Sequence, residues 1–168
     1  NSLGHIPSMH MNEHGITLQQ GMYRGRLIRA TRYYGGGNDR AYWDSHYTNA
    51  IFSDDGGKTW QASEPFPANG TGEAAIVELK NGKIYYNSRR HKSTDGLDPR
   101  RRYSAWSEDG GQTWENMSLI KALPDGDQDR DYGLMAGLVR LPVENHDILL
   151  FSNIESPKGR THGTVWAS

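Results

Sequence analysis

Ser53-Asp54-Asp55-Gly56-Gly57-Lys58-Thr59-Trp60 returns about 54 residues later as Ser107-Glu108-Asp109-Gly110-Gly111-Gln112-Thr113-Trp114, with six of the eight positions identical. Strand-like stretches precede both copies: Tyr47-Thr48-Asn49-Ala50-Ile51-Phe52 and Tyr103-Ser104-Ala105-Trp106. A repeat at a fixed period decides architecture before any other signal, because each unit buries its apolar face only against its neighbours. This period, built from strands without helical patterning, predicts an all-β propeller-type array of small antiparallel sheets.

The chemistry of the repeated box is that of a turn. Paired glycines supply positive φ. An aspartate just before them accepts backbone N–H bonds. The closing tryptophan buries a large apolar area and anchors the next strand. Ser53, Asp55, Gly57, Thr59 and Trp60, and their counterparts Ser107, Asp109, Gly111, Thr113 and Trp114, are therefore expected to be structural, as are Asp54 and Glu108. A Ca²⁺ loop is the sharper alternative. It fails because no acidic residue closes the far end of the loop.

Working outward, residues 73–79 read as a strand, Asn81-Gly82 as a tight hairpin turn with positive φ, and residues 83–89 as the returning strand. A polar loop over 91–99, a strand over 102–106, the second box and a strand from Trp114 complete a four-stranded blade. The unit before it spans about 14–66, and its strand at 26–32 makes Arg32 the repeat counterpart of Arg89. The third unit has strands at 134–141, 148–152 and 163–168, with turns near 144–147 and 157–159. Ser168 falls in phase with Ser53 and Ser107. The expected organisation is thus a partial propeller of about two and three-quarter blades (14–66, 67–120 and an incomplete 121–168), an internal fragment of one domain. Exposed sheet edges would make such a stretch unstable or aggregation-prone alone.

Composition narrows the function classes. A net charge of −1 over 168 residues points to neither nucleic acid nor an anionic membrane. Arg100-Arg101-Arg102 is expected to be solvated at a loop-to-strand junction. The absence of cysteine excludes disulfides, thiol catalysis and thiolate metal sites. Seven histidines without HExxH or paired spacing argue against a metal, and nothing calls for a cofactor. No apolar run of about 18 residues is present to span a membrane. The chain opens at Asn1, so the lack of a targeting segment carries no information.

The motif Ser-x-Asp-x-Gly-x-Thr-Trp resembles the Asp box, or BNR repeat, of the sialidase (neuraminidase) superfamily. Three further stretches are similar to its bacterial members. Gly72-Glu73 through Asn81-Gly82 to Asn87-Ser88-Arg89 looks like the segment in which a catalytic Glu opens the inner strand and an active-site Arg closes the hairpin, with 16 residues between Glu73 and Arg89. Leu149-Leu150-Phe151-Ser152-Asn153 with Arg160 and Gly163-Thr164 looks like the segment supplying the third arginine of the carboxylate-binding triad. The order of the box, Pro65-Phe66-Pro67 and Gly72-Glu73 follows the family.

The resemblance implies a six-bladed propeller that hydrolyses terminal sialosides, in a secreted or periplasmic setting. It makes Glu73 catalytic and Arg89 and Arg160 clamps for the substrate carboxylate. Arg90, on the opposite face from Arg89, is expected to be a surface partner. Arg32, His14 and Asp131 are lesser candidates for substrate contacts, the last within Gln128-Asp129-Arg130-Asp131-Tyr132. Partners would be a sialylated glycan and the remaining propeller chain. The family's first arginine and catalytic Asp belong upstream and its nucleophilic Tyr downstream, so no local residue takes those roles. A non-catalytic Asp-box propeller binding glycans or proteins, or a hydrolase of another sugar on this fold, is the alternative.

Overall fold

A computed structural model describes residues 1–8, 13–36, 39–90, 101–123, 125, 134–144, 146–156 and 158–168. Eleven strands form three antiparallel sheets, and no α-helix occurs among the described residues. The first sheet is β1 (Ile16–Thr17), β2 (Leu27–Tyr33), β3 (Tyr47–Ser53) and β4 (Gln61–Ala62) in sequential order. The second is β5 (Thr71–Glu78), β6 (Ile84–Arg90), β7 (Arg102–Ser107) and β8 (Glu115–Ile120), also sequential. The third pairs β9 (Gly137–Val143), β10 (His146–Ile154) and β11 (Gly163–Ala167). Two four-stranded blades and a three-stranded one make this a partial β-propeller.

Both boxes fold into the same network. Ser53 Oγ donates to Asp55 Oδ1 at 2.8 Å and accepts from Gly57 N at 2.9 Å. Asp55 accepts from Thr59 N at 2.9 Å and from Thr59 Oγ1 at 2.6 Å. In the second copy Ser107, Asp109, Gly111 and Thr113 repeat every one of these bonds. The two tryptophans diverge. Trp114 is 6% exposed, and its Nε1 donates to Ser63 Oγ of the first blade at 3.0 Å. Trp60 is 47% exposed and donates to the Gly57 carbonyl of its own turn. The expectation that each closing tryptophan is an apolar anchor therefore holds for the second box only. Trp114 has a preceding sheet to pack against, while Trp60 faces a hollow lined by Ile6, Pro7 and Ile51.

The hairpin at Asn81-Gly82 also departs from expectation. Gly82 has φ 83°, but Asn81 does not take positive φ. Gly82 N donates to the Leu79 carbonyl and Leu79 N to the Lys83 carbonyl. The turn is the longer type ending in a glycine bulge, with the Asn81 side chain accepting from Lys83 N.

The second sheet works as a partition. Ala74, Ile76, Tyr86, Tyr103 and Ala105 pack onto Ile28, Ala30, Ala50, Phe52 and Phe66 of the first blade. Ala75 and Val77, of opposite parity, pack with Ala136, Leu138 and Phe151 of the third. A residue's parity on β5–β7 thus decides which seam it enters.

Candidate active site

Glu73 and Arg89 meet across the β5–β6 hairpin, whose register from Glu78–Ile84 to Ala74–Ser88 brings Glu73 opposite Arg89. Thr71 pairs with Arg90 and Ala74 with Ser88, so Gly72 and Glu73 together oppose Arg89. The extra residue makes a β-bulge beside the pair without breaking the sheet. Arg89 Nη1 donates to Glu73 Oε2 at 2.6 Å. The pair is half-buried, with side-chain exposures of 17% for Arg89 and 30% for Glu73. Burial pushes the Glu73 carboxyl up, but the Arg89 guanidinium, helped by Arg32, more than offsets this and holds it below the usual range. Glu73 is therefore ionised at neutral pH.

Arg32 approaches from the first blade. It is buried and lies within electrostatic reach of both Glu73 and Arg89. Burial lowers its pKa. Its guanidinium stacks 4.5 Å from the Tyr34 ring centroid, and Nη2 lies 2.8 Å from Nδ1 of the fully buried His46. The tautomer follows from the other ring nitrogen. His46 Nε2 lies 3.0 Å from the Gly35 carbonyl, which only accepts, so Nε2 carries the proton and Nδ1 accepts from Arg32. A neutral histidine thus aims the arginine.

Two expectations about arginines are corrected. Arg90 is fully buried, not a surface partner. Its Nε donates to the Asn69 carbonyl at 2.7 Å, and its guanidinium lies over the Tyr103 ring at 5.0 Å. The face opposite Arg89 is the seam with the first blade, where no surface exists. Arg102, expected to be solvated, is 1% exposed and ion-paired with Asp125 at 3.2 Å. Parity again explains it: Arg102 points with Asn87 into the seam with the third blade, and its Nε donates to Asn87 Oδ1.

The other candidates are placed as follows. Arg160 is exposed between β10 and β11 and is not brought into contact with Glu73 or Arg89. His14 is exposed beside Glu13, with Nδ1 3.3 Å from Oε2. Asp131 lies outside the described residues. Asp125, Asn87, Asn153 and His46 were missed in the sequence. Only the shared parity of Asn87 and Arg89 hinted at one of them. Through Asn153, whose Nδ2 donates to Asp125, the cluster borders an open hollow of about 520 Å³ lined also by Glu13, Met135 and Thr164. That volume suits a small-molecule ligand. No group of three or more His, Asp or Glu side chains among the described residues is placed to hold a metal.

A half-buried carboxylate, ionised and surrounded by guanidiniums, can accept a proton from a neighbouring hydroxyl and bind an anionic group alongside. Comparison with known proteins gives this chemistry a family. The curated sialidase of Micromonospora viridifaciens is 33% identical over 165 residues, covering 90% of this chain and 22% of that protein. A sialidase of Bacteroides fragilis is 28% identical, covering 90% and 24%. The solved structure of a Hadza microbial sialidase superposes with a TM-score of 0.66 at 28% identity, covering 92% of this chain and 27% of the other. The chain thus spans about a quarter of the length of the relatives it matches. The family model described as "BNR repeat-like domain" matches residues 8–166, and with two superposable Asp boxes on successive blades the chain belongs to that family, among the sialidase-type propellers.

Proposed function

We propose that these blades form part of a sialidase-type glycoside hydrolase that releases terminal sialic acids from glycoconjugates. The observation that carries this is the Glu73–Arg89 pair, formed at a bulge, half-buried and flanked by Arg32. The curated relatives named as sialidases support the substrate class.

A sialoside bears a carboxylate on its anomeric carbon, so a carboxylate nucleophile would be repelled there, and sialidases use a tyrosine instead. A free phenol has a pKa of about 10 and needs a base. Glu73 takes the phenol proton in this scheme. Arg89 donates to the substrate carboxylate, and Arg160 does the same if the loop before β11 turns inward. Arg89 has a second consequence. In the unliganded site it neutralises Glu73. Once it turns to the substrate carboxylate, Glu73 loses that partner and becomes more basic when a base is needed. The nucleophilic tyrosine belongs to a region of the family's chain beyond the third box.

The test is release of a fluorogenic aglycone from a sialoside by the complete protein carrying these residues. Glu73→Gln is expected to lower kcat by about 100-fold or more. Arg89→Ala should act mainly on KM. Rates like wild type in both variants would remove these residues from the site. Sialoglycan binding without release would favour a non-catalytic glycan-binding propeller.

A further inference from the structure

Arg102 and Asp125 form a buried pair that the proposed chemistry does not use. Arg102 is 1% exposed and Asp125 3%. Arg102 Nη1 donates to Asp125 Oδ1 at 3.2 Å and to the Leu134 carbonyl at 2.6 Å, and Nε donates to Asn87 Oδ1 at 2.6 Å. Asp125 Oδ1 also accepts from Leu134 N at 3.3 Å and from Asn153 Nδ2 at 3.4 Å. Strands β6, β7 and β10 and the segment entering β9 therefore meet at one ion pair.

As glue alone, this is a poor choice. Apolar residues of the same volume often hold a seam equally well or better, because burying two charges costs much of what their attraction returns. Burial does act on both groups here, lowering the Arg102 pKa and pushing the Asp125 carboxyl up to about 6 against the pull of Arg102. The location suggests another role. Ser88 pairs with Tyr103, which places Arg102 across from Arg89 on the same face of the sheet. Arg102 lies within electrostatic reach of Arg89 and Glu73, and Asp125 within reach of Arg89. Were Asp125 uncharged, the cations of Arg32, Arg89 and Arg102 would all bear on the Glu73 carboxylate.

We propose that Arg102 and Asp125 are positioning residues for the Glu73–Arg89 site: Arg102 moors Asn87, two residues from Arg89 on the same face, and Asp125 cancels the charge that this mooring brings in. The role of Glu73 as a base rests on the sialidase reading, but the test does not. Among the described residues, the charged groups bearing on Glu73 are Arg89 from β6, Arg32 from β2, and Arg102 from β7 with Asp125 beside it.

The experiment is a ¹³C NMR titration of the Glu73 carboxyl, assigned with Glu73→Gln, in the complete protein. Glu73 titrates below the usual carboxylate range, where an Asp125 carboxyl pushed up to about 6 is already protonated. The Asp125 charge therefore shows as a second, smaller inflection of the Glu73 signal near pH 6, which Asp125→Asn should abolish while leaving the midpoint within about 0.1 unit. Arg102→Met removes a cation, and the midpoint should rise by about 0.3–0.5 pH unit. A merely structural pair would lower Tm in both variants with neither the midpoint shift in Arg102→Met nor the loss of the second inflection in Asp125→Asn. If the single variants do not fold, Arg102→Met/Asp125→Leu leaves no buried charge unpaired and keeps the question open to measurement. In that double variant the Glu73 midpoint should rise as in Arg102→Met and the second inflection should vanish, while the Arg89 Nε–H exchanges with solvent about threefold faster or more, since Asn87 has lost its mooring. An unmoved midpoint in folded Arg102→Met, a second inflection that persists in Asp125→Asn, or unchanged Arg89 exchange in the double variant would overturn the proposal. Sialoside release is read separately. Its absence in the wild type defeats the sialidase reading and leaves the titration result standing.

Discussion

Alanine at Gly111 and alanine at Gly56 should differ sharply in cost, although both sit in the same turn motif. Gly111 has φ 85° and Gly56 φ 73°. An L-residue at either position meets left-handed strain of about 1–2 kcal/mol. For Gly56 that is the whole effect, because no heavy atom lies within 4 Å of the added Cβ. For Gly111 the Cβ would fall inside the Cδ1 methyl of Ile28 and 3.5 Å from Ile84 Cδ1. Ile28 is 1% exposed and Ile84 fully buried, so the methyl has nowhere to go without shifting the core. Overpacking adds about 1–3 kcal/mol, bringing Gly111→Ala to about 3 kcal/mol and the difference to about 2 kcal/mol. The assay is urea unfolding followed by tryptophan fluorescence. With m of about 1–3 kcal/mol/M, the two midpoints should lie about 1 M apart. Equal midpoints, or a larger loss at Gly56, would refute the argument that the second box is wedged against the first blade. The wedge matters for function because β2, which carries Ile28, also carries Arg32, and β6, which carries Ile84, also carries Arg89.

Two further outcomes follow from the same turns. Trp114→Ala should cost about 3–5 kcal/mol by denaturant melting, since it removes a buried ring together with its hydrogen bond to the Ser63 hydroxyl across the two blades. The box aspartates should set an acid limit. Hydrogen bonds from Thr59 lower the Asp55 carboxyl to about 2. Burial pushes Asp109 up, but bonds from Thr113 outweigh it and the net shift is downward. Both folded pKa values lie below the unfolded ones, so this stabilisation is complete above about pH 4 and is lost as pH falls towards about 2. Tm measured from pH 5 to 2 should show the fall, with a shallower slope in Asp109→Asn. A slope unchanged by that substitution would show that the carboxylate does not drive it.

What the sequence discloses here depends on how far apart the interacting residues lie. The boxes close within eight residues, so their spacing alone gives the turn chemistry, and the repeat gives the blades. Glu73 and Arg89 share one hairpin, so the chain between them brings them together whatever surrounds it. Arg90 and Arg102 were misjudged for the opposite reason. Whether a guanidinium on a strand is solvated depends on what covers that face. Here the covers are Asn69 and the first blade for Arg90, and Asp125, Leu134 and Asn153 for Arg102. Composition treats a run such as Arg100-Arg101-Arg102 as one object, but a strand sends alternate residues to opposite seams. The same geometry explains the two tryptophans: identical in motif, they differ in burial because only Trp114 has a described sheet on the side it faces. A propeller writes each blade into local sequence and leaves the seams between blades unwritten. The candidate site lies at a seam, with its acid and first arginine on one hairpin and its remaining charges supplied across the gap by neighbouring blades. Residues of that second kind, Arg32 with His46 on one side and Arg102 with Asp125 on the other, become visible only once the blades are placed side by side.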